Sequence, residues 1–82
     1  MQVEIIITVR ESILDPKGKA SHRALENLGF EDIKGVRIGK FIQLEVDTTD
    51  PQKAKEIARE ASEKLLANTV MENYEIRIPD IA

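Results

Sequence analysis

Cysteine and tryptophan are absent from this sequence, and its 82 residues include only two phenylalanines, one tyrosine and one histidine. Without cysteine, the chain can form no disulfide, no iron–sulfur cluster and no cysteine-ligated zinc site. The few aromatic residues provide no platform for stacking single-stranded bases. The single histidine, His22, lies on the polar side of a predicted helix, and no second histidine completes a metal site. We therefore interpret His22 as a surface residue and predict no metal site.

An excess of positive charge is also missing, since 12 basic residues stand against 15 acidic ones and the formal net charge is −3. This balance argues against general affinity for the phosphate backbone of nucleic acids. The apolar runs are too short to span a bilayer, and the first residues lack the basic and apolar regions of a signal peptide. We expect a cytoplasmic protein that binds neither nucleic acid nor membrane.

The length predicts a single domain, residues 1–82, with a modest hydrophobic core. A chain of this size buries only about 60% of the surface that its unfolded form exposes. Because no disulfide or metal can compensate, association with further copies of the chain is the expected way to bury more apolar surface.

Two helices are predicted from an acid–proline pair at each start, Asp15-Pro16 and Asp50-Pro51. An aspartate carboxylate caps the free amides of the first turn, and proline fits the first helical position because its missing N–H costs nothing there. Apolar residues then recur at spacings of three and four in both segments. Gly29 is placed to end the first helix in a left-handed conformation.

Period-two alternation predicts strands on either side of these helices. Residues 3–10 read as the first strand and residues 74–78 as the last. Residues 33–47 read either as one long bent strand or, as we favour, as two strands joined by an irregular turn at Gly39-Lys40. The predicted fold is α+β with the order β-α-β-β-α-β. It has a four-stranded, mainly antiparallel sheet and two helices covering one face. We expect dimerisation or further oligomerisation through the sheet, with Ile6 and Phe41 on its other face as the hypothetical self-association surface.

Catalytic patterns are missing from the chain. Its serines have no base that the sequence places beside them, and no Gly-x-Ser-x-Gly pattern joins a strand to a helix. The glycine spacings match neither a phosphate-binding loop nor a dinucleotide fingerprint. The N-terminal proline nucleophile of tautomerases of similar size is absent as well, because the chain begins Met1-Gln2. We predict no catalytic residue.

Two local features remain, each with two interpretations. Gly18 lies inside the first turn of a helix, where glycine costs stability; either it simply belongs to a helix start, or it allows another backbone or a ligand to approach closely. The segment from Arg37 to Lys40 reads either as a solvated hairpin tip or as a contact with an anion or an acidic partner.

Several segments of this sequence match those of a known family in their order and spacing. They contain an Asp-Pro-x-Gly, a Leu-Gly-Phe and an Arg-x-Gly-Lys: Leu14-Asp15-Pro16-Lys17-Gly18-Lys19-Ala20, Ala24-Leu25, Leu28-Gly29-Phe30 and Val36-Arg37-Ile38-Gly39-Lys40. The chain resembles PurS, the small subunit of phosphoribosylformylglycinamidine synthase, over essentially its whole length. Lys17 departs from the glutamine that the family commonly has at this position.

The resemblance implies a non-catalytic bridging subunit that joins a glutaminase subunit to a large ATP-dependent synthetase subunit. Such a complex converts formylglycinamide ribonucleotide, glutamine and ATP to formylglycinamidine ribonucleotide in de novo purine biosynthesis. Ammonia must pass between the two partners without escaping, and the small subunit is expected to help that transfer. The resemblance also implies a homodimer or tetramer, no cofactor on this chain, and ATP and magnesium on the synthetase subunit.

Within this resemblance, we assign bridging contacts as a hypothesis to the helix start and to the turn. The residues are Asp15, Pro16, Gly18, Arg37, Gly39 and Lys40. Two other classes share the predicted topology. One is a small-molecule-sensing regulatory module of ACT-like topology, which requires a ligand that stabilises the isolated protein. The other is an RNA-binding module, which requires the basic surface and stacking aromatics that this chain lacks.

Overall fold

The computed structural model describes residues 1–11 and 13–79. In chain order, its elements are β1 (Gln2–Val9), α1 (Pro16–Asn27), β2 (Lys40–Glu45), α2 (Pro51–Ala61), a π-helical turn (Ser62–Leu66) and β3 (Glu72–Arg77). Both neighbours of β1 pair with it in the antiparallel sense, in the order β2-β1-β3. The predicted α+β class is confirmed, with two helices and a three-stranded antiparallel sheet.

The core lies between the central strand and α2. Val3, Ile5 and Ile7 of β1 are fully buried, as are Ala54 and Ala58 of α2. Alternate residues of a strand share a face, and the small alanine side chains let the helix lie close to that face. Burying each of the three large side chains contributes about 1.5–3 kcal/mol.

The strand register confirms the predicted faces. Ile5 lies opposite Ile42 on β2 and Ile76 on β3, so one apolar row crosses the sheet on the core side. On the other side, Ile6 lies opposite Phe41. Because side chains alternate between faces, a shift of one residue would exchange these two rows, and the buried isoleucines fix the register.

Both predicted helix starts are confirmed. The Asp15 side chain accepts a hydrogen bond from the Gly18 N–H at 3.0 Å, and the Asp50 side chain accepts one from the Gln52 N–H at 3.0 Å. A proline follows each cap at the first helical position. Gly29, just after α1, has a φ of 99°, the left-handed conformation predicted for it.

The described residues contain three strands instead of the four predicted. Within residues 33–47 only β2 forms, and its pairing with β1 stops at the Ile7–Lys40 pair. Since β2 is an edge strand, no described strand pairs with residues 33–39 in the single chain. An extended segment becomes a strand only when its backbone groups find backbone partners. The predicted hairpin at Gly39-Lys40 is therefore also wrong, because β2 begins at Lys40.

The first helix does not pack as predicted either. No α1 residue belongs to the core, Gly18 is the one buried residue of the helix, and Leu28, which follows it, is 74% exposed. The expectation that two helices cover one face of the sheet is confirmed for α2 and wrong for α1 in the single chain. Among the residues that the structure describes, no helix is long and apolar enough to cross a membrane.

Candidate functional site

Asp15 joins the two segments that the sequence singled out. Its Oδ1 atom accepts a hydrogen bond from the Gly18 N–H at 3.0 Å, and its Oδ2 atom accepts one from the Ile38 N–H at 2.9 Å. One carboxylate thus caps α1 and holds residues 35–39 against the start of that helix. The helix start and the predicted turn form one structural unit.

Two glycines make this close packing possible. A Cβ atom on Gly18 would lie 2.2 Å from the Val36 carbonyl oxygen, and one on Gly39 would lie 2.2 Å from the Ile7 carbonyl oxygen. Real Cβ atoms do not approach backbone that closely, so neither position accepts a side chain without a backbone shift. For Gly18, this contact supports the second interpretation, that the glycine allows another backbone, here that of Val36, to approach closely.

The two cations of the segment are each anchored on one side. Arg37 Nη2 donates to the Val9 carbonyl. Lys40 Nζ donates to the Leu66 carbonyl at 3.4 Å and lies 3.6 Å from a carboxylate oxygen of Glu72. A guanidinium has five N–H donors and an ammonium three, so both groups keep donors for a further acceptor.

The hydrogen bonds of Asp15 argue against a role as an acid or base at neutral pH. Its pKa lies below the ordinary value of 3.8, first because the Gly18 and Ile38 N–H groups donate to the charged carboxylate, and also because Arg37 is nearby. A proton-transfer group needs a pKa near the working pH. Through these two hydrogen bonds, Asp15 holds the helix start against the Ile38 backbone.

A cleft of about 310 Å³ opens beside this unit. It brings together four of the predicted site residues, namely Asp15, Pro16, Gly39 and Lys40. Its walls also include apolar residues from three separate stretches of the chain and polar groups at the rim: Val9, Leu14, Ile38 and Met71, with Lys17, Asn68 and Glu72. Gly18 does not line this cleft, and Arg37 lines a wider, shallower opening on the other side of Leu14 and Asp15.

The loop before β3 is the part of the site that sequence reasoning missed. The Asn68 side chain accepts from the Val70 N–H at 3.2 Å, and the Asn68 carbonyl accepts from the Met71 N–H at 2.9 Å. Glu72 in turn accepts from the Asn68 N–H at 2.8 Å. This internal bonding fixes Met71 and Glu72 at the cleft. The only sequence signal was Asn68, which the pattern places after the second helix.

The proposed self-association residues lie elsewhere. Ile6 is half-buried and Phe41 is 57% exposed, and the two are cross-strand neighbours on the outer face of the sheet. Charged side chains surround them, since Glu75 lies opposite Ile6 on the other strand and Glu4 lies two residues before it. This small apolar pair is separate from the cleft.

No metal-ligating cluster occurs within residues 1–11 and 13–79. They contain no group of three or more histidine, aspartate or glutamate side chains that could hold a metal ion. The His22 Nε2 atom lies 2.8 Å from the Ile33 carbonyl oxygen, so this ring is tied to the segment after α1. The cleft, with its apolar walls and charged edges, is suited to binding.

Comparison with known proteins identifies the family. The family model of PurS, described as phosphoribosylformylglycinamidine (FGAM) synthase, matches residues 2–80. This chain belongs to the PurS family. The Bacillus subtilis PurS subunit of phosphoribosylformylglycinamidine synthase is 35% identical over 80 residues, which cover 98% of this chain and 94% of that protein. The Mycobacterium leprae PurS subunit is 45% identical over 71 residues, 85% of each chain.

Solved PurS structures have the same fold. A crystal structure of Bacillus subtilis PurS superposes with a TM-score of 0.84 at 37% identity, covering 93% of this chain and 94% of that one. A chain in the structure of PurLQS from Thermotoga maritima superposes with a TM-score of 0.83 at 38% identity, covering 93% of each chain. The PurS fold therefore extends over nearly all of this chain.

Proposed function

We propose that this chain is the bridging subunit of a cytoplasmic phosphoribosylformylglycinamidine synthase complex in purine biosynthesis. It joins a glutaminase subunit to an ATP-dependent synthetase subunit and helps ammonia pass between them. The observation that carries the proposal is the PurS match along nearly the whole chain, which includes a chain of the Thermotoga maritima PurLQS assembly. The cofactors of the reaction, ATP and magnesium, are assigned to the synthetase partner and none to this chain.

The physical features of the chain agree with a bridging role. The described residues contain no metal-binding cluster, and the sequence contains no recognised catalytic motif. A subunit of this kind accelerates a reaction by positioning the groups of others. Holding two active sites in a fixed geometry lowers the entropic cost of transfer between them. The cleft and the uncovered α1 are the surfaces with which this chain can do so.

Reconstitution tests the proposal directly. The glutaminase and synthetase subunits are assayed with and without this chain, using glutamine in one series and ammonia in the other. We expect omission of the chain to abolish glutamine-dependent turnover while ammonia-dependent turnover persists. Equal glutamine-dependent rates with and without the chain would refute the proposal.

The residues assigned to bridging contacts have their own test. Because Arg37 and Lys40 both keep unused donors beside the cleft, Arg37→Ala and Lys40→Ala are expected to weaken complex formation and glutamine-dependent turnover. Thermal unfolding of each variant is the control for folding. If both variants form the complex and turn over glutamine like the wild type, the assignment of this segment is wrong.

We also propose that the chain associates with itself, as a homodimer or tetramer. Two features support this: α1 leaves the core uncontacted, with Leu28 74% exposed after it, and residues 33–39 form no strand in the single chain. Pairing of this segment with a second copy would supply the fourth strand, and Ile6 and Phe41 would be covered in the same association.

Sedimentation equilibrium tests self-association by measuring the oligomeric state of the wild type and of Phe41→Ser. Gln43→Ser, on the same face of the sheet, is the control. A monomeric wild type contradicts the proposal.

A further inference from the structure

The walls of the cleft are apolar and open to solvent. Leu14 is 62% exposed, Ile38 39% and Met71 43%, although they come from three distant stretches of the chain. Large apolar side chains that converge on one concave site mark a place where another apolar group binds. With a volume of about 310 Å³, the cleft has room for one large side chain and the backbone that carries it.

The edges of the cleft carry positive charge that the chain itself does not neutralise. Lys17 and Lys40 line this cleft, and Lys19 and Arg37 line the adjoining opening. The Asp15 carboxylate, which lies between the two openings, is already occupied by two backbone N–H groups. This excess of cations is a local property, because the whole chain has a formal net charge of −3.

The remaining carboxylates leave this excess in place. Glu72 accepts from the Asn68 N–H and lies 3.6 Å from Lys40, so it offsets that one ammonium only partly. Glu11 is the other carboxylate at the two openings. Four cations therefore face three carboxylates, and two of these, Asp15 and Glu72, already have hydrogen-bond or ion-pair partners. The complementary surface is acidic.

The cleft is also held in shape before anything binds. Asp15 fixes the Ile38 backbone from one side, and the internally bonded loop that ends at Met71 forms the other side. A preorganised site loses less conformational entropy on binding than a flexible one. Asp15 and Gly18 act by shaping the site, since each oxygen of the Asp15 carboxylate already accepts a backbone N–H and Gly18 lies outside the lining.

We propose that this cleft is a docking site for an acidic segment of a partner subunit, with one large apolar side chain of that segment inserted between Leu14, Ile38 and Met71. Carboxylates on either side of the inserted residue pair with Lys17 and Lys40 in the cleft and with Lys19 and Arg37 beside it. The inference rests on the proposed function, because it needs a partner subunit, and it adds the chemistry by which that partner is recognised.

Two variants test the two parts of the proposal separately. Lys17→Glu/Lys19→Glu reverses charge at the rim, and Met71→Glu places a carboxylate in the apolar cleft. Rim charges act mainly on association rate and salt dependence, whereas a buried apolar anchor acts on dissociation. Lys53→Glu/Lys55→Glu, on the exposed side of α2, is the matched control for the change in net charge.

Binding is measured to the isolated glutaminase and to the isolated synthetase by surface plasmon resonance at low and high salt. For one of them we expect Lys17→Glu/Lys19→Glu to slow association at least about tenfold and to remove most of its salt dependence. Met71→Glu should speed dissociation of the same partner at least about tenfold. The Lys53→Glu/Lys55→Glu control should stay within about twofold of wild type.

Misfolding does not explain such a loss. Both lysines lie in the first turns of α1, where glutamate is favoured by the helix dipole, and circular dichroism with thermal unfolding verifies each variant. This inference would be overturned if the rim and Met71→Glu variants kept wild-type association and dissociation rates for both partners. The proposed function would still stand, because glutamine-dependent turnover would be intact. Equal loss in the α2 control would overturn this inference too, because only net charge would then matter. Failure of wild-type reconstitution would instead refute the proposed function.

Discussion

The Oδ2 atom of Asp15 accepts a hydrogen bond from the backbone N–H of Ile38 at 2.9 Å, across 23 positions of sequence. The other oxygen of the same carboxylate caps α1. A helix cap is ordinarily a local device that satisfies free amides of the first turn. Here it also positions the segment that leads into β2, so the helix start and the cleft wall depend on one side chain.

Removing this carboxylate is expected to destabilise the fold more than removing its counterpart on α2. Asp50 makes the same kind of cap, to the Gln52 N–H at 3.0 Å, and within residues 1–11 and 13–79 its side chain accepts from no distant residue. Asp50→Ala should cost about 1 kcal/mol, as loss of a helix cap does. Asp15→Ala should cost more, because the Ile38 N–H loses its acceptor as well. Urea unfolding midpoints measure the difference, and equal costs would show that the bond to Ile38 adds no stability.

The same two hydrogen bonds predict how stability depends on pH. Since they hold the pKa of Asp15 below its ordinary value of 3.8, the stability they contribute is fully present above that value. It is lost as the pH falls through the lower, folded-state value. Asp15→Asn should therefore flatten the loss of stability on the acid side, measured by urea unfolding at a series of pH values below neutral. An unchanged acid profile would contradict this prediction.

The sequence predicted what is decided locally. Both caps, both prolines and the left-handed Gly29 were read correctly because each acts within a few residues of chain. The core row through Ile5 was predicted because alternation is a local pattern as well. The predicted fourth strand is absent because strand formation depends on a neighbouring strand, and the sequence does not indicate that no described strand pairs with residues 33–39 in the single chain.

The glycines of the site provide a test in which local propensity and tertiary packing predict opposite signs. Within a helix, alanine is about 1 kcal/mol better than glycine, so Gly18→Ala would stabilise an isolated helix. In this fold the new Cβ would lie 2.2 Å from the Val36 carbonyl oxygen, and we expect a net loss of about 1–3 kcal/mol. Gly39→Ala should behave similarly against the Ile7 carbonyl.

Gly35 is the matched control for both substitutions. A Cβ there would meet nothing within 4 Å, and its φ is not positive. Gly35→Ala should stay within about 0.5 kcal/mol of the wild type. Chemical denaturation of the three variants measures the set. If Gly18→Ala proves as stable as the wild type, the close approach of Val36 to α1 is not required by the fold.

The cleft lay beyond the reach of sequence reasoning for a different reason. Leu14, Ile38 and Met71 meet only because β1 lies between β2 and β3, which brings the start of each outer strand to the end of the central one. The spacing of these residues along the chain does not indicate that they lie close together. Asp15 and Lys40 were identified separately from motif patterns, but their convergence on one cleft came from topology.

The last prediction concerns Tyr74, the only tyrosine of the chain. Its hydroxyl donates to a carboxylate oxygen of Glu63 at 2.7 Å, and this bond, followed by partial desolvation and the negative charge of Glu63, raises the pKa of Tyr74 above its ordinary value of 10.0. The stability gained is present below that value and lost as the pH rises through the folded-state pKa. Glu63→Gln removes the negative charge, so the Tyr74 phenolate should form at lower pH in this variant.

With no tryptophan present, near-ultraviolet absorbance follows this single titration. Glu60→Gln, which removes the carboxylate paired with Lys64 at 2.7 Å, should leave it unchanged, and an equal shift in both variants would assign the effect to net charge instead of the hydrogen bond.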